Sequence, residues 1–157
     1  MDGEVPYRDF WAIYPPGQFY ALAAIFRAFG TSLLVARIYD TIVVRFVIAI
    51  GAFLVAKRIA FPILALPICI TTGLLLGSAG FYAYAVYPSL ALGLLSILSS
   101  LEHAETGQRR WLLLAGTLAG IASFFRWDIG LYAGISVVAA VPSVSMMCWT
   151  PTAYHLV

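Results

Sequence analysis

Charge is what this chain has least of. Asp, Glu, Lys and Arg make up 10% of its 157 residues, and the net charge is only +2. A soluble domain carries about 25% charged residues. With so few cations, and no basic patch interleaved with aromatics, nucleic acid is excluded as a partner. Cysteine is scarce too. Cys69 and Cys148 both sit in apolar runs without Cys-x-x-Cys spacing, so a redox pair and a zinc site are excluded. The two histidines, His103 and His155, have no metal-ligand spacing. A serine–histidine–acid set and a phosphate loop are missing as well, as are internal repeats and low-complexity segments. No cofactor is evident; a divalent metal, if one is used, would need a carboxylate such as Asp9.

What the chain has in excess is apolar residues, 62% of the total, with a mean hydropathy of +0.95. At about 20 residues per span this predicts an all-α, polytopic membrane helical bundle. Five spanning helices are expected, over residues 38–56, 59–77, 81–100, 111–125 and 129–149, with Pro62 and Pro67 expected to kink the second. Between the third and fourth spans lies a polar loop, Glu102 to Arg110. Before the first, Pro15-Pro16 breaks the chain, and Gly17–Phe29 follows with Phe19, Leu22, Phe26 and Phe29 at helical spacing. Thirteen residues reach about 20 Å, too short for a ~30 Å hydrocarbon core, so an interfacial helix is expected. The alternative is a first span running on to Ala36. The layout is thus an external loop with its interfacial helix over 1–37, a bundle over 38–149, and a tail over 150–157; the stretch after Pro142 drifts from a clean span and reads as a truncated or altered C-terminus.

Lys57-Arg58 and Arg109-Arg110 are two spans apart and so share a face, cytoplasmic by the positive-inside rule. The N-terminal loop, the Gly80 turn and the Arg126-Trp127-Asp128 hinge then lie outside, with the acids Asp2, Glu4, Asp9 and Asp128. Three Gly-x-x-x-Gly pairs, Gly73/Gly77, Gly116/Gly120 and Gly130/Gly134, are expected to let helices approach closely.

Few residues carry chemistry. Asp9 could serve as a general base toward a hydroxyl or hold a metal; equally it could be a loop acid paired with Arg8. Arg37 and Asp40, three apart, share a helix face, and Arg45 is nearly two turns deeper. A cation in hydrocarbon needs a cavity or a partner. Arg37 and Arg45 could grip a phosphate, or snorkel to headgroups. Tyr82, Tyr84 and Tyr87 read as an aromatic belt or a stacking surface. Arg126 and Asp128 form either the rim of a site or a self-paired turn.

The run Gly3-x-x-Pro6-Tyr7-Arg8-Asp9-Phe10, then Tyr14-Pro15-Pro16-Gly17, Phe29-Gly30 and Ala36-Arg37, resembles the first external loop of GT-C class membrane glycosyltransferases. The groups it is similar to are the protein-mannosyltransferase-like, aminoarabinose-transferase-like and lipopolysaccharide-core transferases. Tyr87-Pro88 at a span start, and Trp111-Leu112 through Gly116 and Gly120 to Arg126, fit the same pattern. The resemblance implies an integral protein of the inner or plasma membrane. It implies transfer of a sugar from a polyprenyl-phosphate donor to a lipid, glycan or protein acceptor on the extracytoplasmic face. Asp9 would be catalytic or metal-binding, and Arg8, Arg37, Arg45, Tyr87, Arg126 and Asp128 would contact substrate. The family's principal acid lies before the Pro-Pro, just after a first span; neither is present here, so a fragment is expected. The other readings are a non-catalytic membrane protein, as a transporter piece or assembly subunit, or an inactive remnant of the enzyme.

Overall fold

The computed structural model describes residues 6–9, 11–59, 62–78 and 84–147. Asp2, Glu4, Phe10, the Gly80 turn, Tyr82, Cys148 and the tail lie outside them. All elements are helical: α1 (Gly17–Phe29), α2 (Leu33–Ile38), a π-helical turn (Tyr39–Arg45), α3 (Phe46–Ile59), α4 (Pro62–Ser78), α5 (Val86–Thr106), α6 (Arg109–Phe125) and α7 (Trp127–Met147).

Gly17–Phe29 is the short helix the spacing predicts, and the alternative of a span running through to Ala36 is not what forms. The reason is Gly30, at φ 88°, a conformation open to glycine, whose N–H closes on Phe26 O at 2.9 Å. The chain restarts at Ser32, whose hydroxyl accepts from Leu34 N. That cap starts the next helix five residues ahead of the expected Ile38. α2, the π turn and α3 run on as one helix, Leu33–Ile59, of 27 residues with a mean hydropathy of 2.1 in its apolar window. Among the described residues it alone is both long and apolar enough to cross a bilayer; Ile63–Ser78 and Trp127–Ala139 are apolar but shorter.

Pro62 opens α4 instead of kinking it, as its fixed φ and missing N–H suit a first helical position; Pro67 lies inside. The expected loop Glu102–Arg110 is mostly helix. α5 continues to Thr106, where Gly107 at φ 67° bonds back to His103 O, and α6 begins at Arg109. Gly107→Ala is expected to lower stability by about 1 kcal/mol, the cost of a left-handed residue with a Cβ, and thermal unfolding would measure it.

α5 is the central element, packed by α3, α6 and α7. Toward the π turn and α3 it packs Tyr87, Leu90, Ala91 and Leu94 against Val44 and Ile48; toward α6 and α7 small residues predominate. Ser89, Gly93, Ser96, Ser99 and Ser100 are buried on it, as are Ala115, Ala119 and Ala122 on α6 and Ala133 and Val137 on α7. The Ser96 hydroxyl donates across the helix pair to Ala115 O at 2.8 Å. Many large apolar side chains face outward, among them Ile63, Leu74, Leu113 and Val138. One bundle end holds Arg58 bonded to Glu102 and, at 3.5 Å, to Glu105. The opposite end holds the N-terminal loop, Tyr84 and Arg126.

The glycine pairs mostly do not do what their spacing suggests. A Cβ added at Gly73, Gly77, Gly116, Gly120 or Gly134 would meet nothing within 4 Å. Only Gly130 is a close approach, its Cα facing the backbone of Ser123. Gly17 is tight as well, where a Cβ would lie 2.6 Å from Phe124 O. That contact, with Tyr20 stacked on Phe124 at 6.3 Å, seats α1 on the end of α6.

Candidate functional site

The π turn sets the buried half of the site. In an α-helix, residues five apart sit on different faces, at about 100° per residue. The wider π turn brings i and i+5 together. Asp40 and Arg45 are that pair. Arg45 Nη2 lies 2.9 Å from Asp40 Oδ2, and Nε donates to the same oxygen at 3.1 Å. Asp40 is 1% exposed and Arg45 8%. Arg45 Nη1 also donates to Leu76 O in the last turn of α4, where a carbonyl lacks a helical partner. Its guanidinium lies 5.0 Å from the Tyr87 ring centroid. One arginine therefore ties the π turn, α4 and α5 together. It neither snorkels outward nor presents an open guanidinium.

From Tyr87 the cluster continues toward the bundle end. Tyr84, three residues earlier, accepts a backbone bond from Tyr87 N at 3.1 Å, and the two rings meet edge-on at 6.4 Å. Tyr84 and Tyr14 share a hydroxyl–hydroxyl bond of 2.7 Å, their rings nearly perpendicular at 5.6 Å. Arg126 Cζ lies 5.5 Å from the Tyr14 ring centroid, and Nε donates to both oxygens of Asp128, at 2.8 and 3.0 Å. Asp128, and Tyr84 after it, hold the Arg126 guanidinium firmly charged. The Tyr14 phenol is pushed above its ordinary pKa, chiefly by its bond to Tyr84, and so stays protonated. The result is a continuous chain of contacts, Asp40–Arg45–Tyr87–Tyr84–Tyr14–Arg126–Asp128, running from a buried ion pair to a half-exposed one.

Of the residues singled out from sequence, Arg45, Tyr87, Arg126 and Asp128 come together here. Arg8 and Asp9 form their own surface pair, with Nη2–Oδ2 at 2.8 Å, and that bond raises the Arg8 pKa. Their neighbour Tyr7 links this turn to the cluster by donating its hydroxyl to Tyr14 O. Tyr7 sits at φ 69°, costly for a bulky residue and held by that bond. Arg37 stands exposed on α2. Sequence reasoning missed Tyr14 and gave Asp40 a different role. A spacing of five carries no α-helical signal, and Tyr14 and Tyr84 are seventy residues apart. Among the described residues no three His, Cys, Asp or Glu side chains converge on a metal position.

Compared with protein-family models, curated proteins and solved structures, the chain matches none.

Proposed function

We propose that this chain is a membrane-embedded helical unit of a GT-C-like glycosyltransferase. It passes a sugar from a polyprenyl-phosphate donor to an acceptor hydroxyl at the extracytoplasmic end of the bundle. The membrane half of the reading is supported by the small residues buried on α5 and α6 and by the many large apolar side chains left exposed, among them Ile63, Leu74, Leu113 and Val138. Helices in lipid associate through small residues, having no hydrophobic gain from burying large ones. The 27-residue apolar helix supports it as well. Interfacial seating of α1 and five spanning helices belong to the same proposal.

The observation that carries the chemistry is the half-exposed cluster of Tyr14, Tyr84, Arg126 and Asp128. It lies at the end of the bundle that also holds the loop whose residues resemble the family's first external loop. Departure of a polyprenyl phosphate needs fixed positive charge. Arg126 supplies it, braced by the Tyr14 ring, by Asp128 at Nε and by Tyr84, its half-exposed guanidinium serving as the phosphate contact. A carboxylate takes the acceptor proton. Asp9 and Asp128 are the candidates within this chain. Arg126→Gln is expected to reduce sugar transfer about 10²-fold, the scale of removing one preorganised donor. Radiolabelled transfer in membranes would measure it, and unchanged transfer would end the assignment.

One observation favours a second reading, a non-catalytic membrane protein or remnant. Each of three candidate cations is already matched by a carboxylate of its own chain: Arg8 by Asp9, Arg45 by Asp40, Arg126 by Asp128. On that reading Arg126→Gln changes thermal stability and no transfer activity exists to lose.

A further inference from the structure

The opposite end of the bundle carries a site of a different kind. α3 and α6 both pack on α5 and leave a groove over it of about 430 Å³. Each helix meets the groove with an apolar stripe that ends in charge. On α3, Leu54 is followed one turn later by Arg58. On α5, Leu95 and Leu98 lead to Glu102. On α6, Leu118 and Leu114 lead back to Trp111, and Arg110, one turn before Leu114, lies with its guanidinium 5.6 Å from the Trp111 ring centroid. Spacings of three and four put such neighbours on one helix face. The groove is apolar along its length and polar at its mouth.

The mouth has a positive excess. Arg58 lines it and Arg110 lies against the Trp111 ring, and their exposed sequence neighbours Lys57 and Arg109 add two more cations at this end of α3 and α6. Against them are Glu102 and Glu105, both held by Arg58, and the buried His103, whose Nδ1 lies 3.0 Å from Gln108 O. α6 also starts here with two arginines and no acidic residue in its first turn, so the helix dipole adds to the same sign.

We infer that this groove binds an anionic phospholipid, one acyl chain along the leucine stripes and the phosphodiester at the mouth against Arg110 and Arg58. The inference rests on the membrane reading above, but not on the transferase chemistry, which lies at the other end. Leucine and tryptophan walls suit an acyl chain, whereas helix-docking faces in lipid are made of small residues. Basic pockets between helices on the cytoplasmic side take anionic headgroups, to which each nearby cation contributes.

The test uses the purified full chain in detergent with equal amounts of phosphatidylglycerol and phosphatidylcholine, read by native mass spectrometry. One phosphatidylglycerol should be retained, at least fivefold over phosphatidylcholine. Leu114→Trp fills the groove and should abolish retention. Leu113→Trp, at an exposed position off the groove, should not. Arg110→Gln should lower the preference about fivefold. Equal retention of the two lipids, or equal loss in both tryptophan variants, overturns the inference. Membrane fractionation separates the two failures. A chain recovered in the soluble fraction defeats the membrane reading and this inference with it; a membrane-bound chain with no selective lipid defeats this inference alone.

Discussion

Asp40→Ala is expected to destabilise the folded chain by about 3–5 kcal/mol, the scale of stranding one partner of a buried ion pair. The carboxylate it removes is 1% exposed and receives two hydrogen-bonding atoms of Arg45. Leu76 O and the face of Tyr87 stay within reach of Arg45. Neither carries a full negative charge, so the guanidinium would be left in a poorly solvated position. The double variant Asp40→Leu/Arg45→Met separates this account from simple loss of packing. With both charges gone and the volume filled, stability should return to within about 1–2 kcal/mol of the parent. Thermal unfolding in detergent reads both variants. If Asp40→Ala melted with the parent, the ion pair would have no structural role; if the double variant were as unstable as the single, packing and not charge would be the cause.

Gly130→Ala should also be severely destabilising, by about 1–3 kcal/mol or more, because the new methyl overlaps the backbone of Ser123 at the α6–α7 corner. Backbone cannot step aside as a flexible side chain does. α7 would have to tilt or slide, and with it Ala133 and Val137, which pack inside the bundle. Gly116→Ala and Gly120→Ala have identical chemistry in a similar motif, yet meet no atom within 4 Å. They should match the parent or gain slightly, since alanine is the better helix former by about 1 kcal/mol. Equal damage at all three sites would show that Gly116 and Gly120 face a partner helix.

That contrast shows what the sequence could and could not reveal. The short helix before Gly30 was legible, because Pro15-Pro16, the phenylalanine spacing and a glycine stop are local signals. The all-helical class was legible from composition alone. The helix ends were less so. Ser32 capping and Gly107 in a left-handed conformation each shifted a boundary, and both depend on what the flanking turn does with its hydrogen bonds. The glycine motif misled because spacing tells that two residues share a face, not that anything lies against it. In the candidate site, Arg45, Tyr87, Arg126 and Asp128 stood out as charges and rings in apolar surroundings. Their joining through Tyr14 and Tyr84 did not, because contacts between distant segments leave no periodicity. The role of Asp40 was hidden for a third reason. Its partner lies at a spacing that only a π turn brings together.

The π turn also makes the continuous helix Leu33–Ile59 a device of phase. A π turn is an α-helix carrying one surplus residue, and one residue is worth about 100° of rotation. Excising Thr41 would let the helix relax to regular α geometry without breaking it. Everything N-terminal to the cut would then be re-indexed against everything C-terminal. Arg37 and Ile38 would swing to a new azimuth, and Asp40 would become i−4 to the old Arg45. The ion pair would survive in an ordinary register, while the seat of α1 would be turned away from α6. A single codon in this segment thus sets the angle at which the N-terminal loop is presented to the bundle.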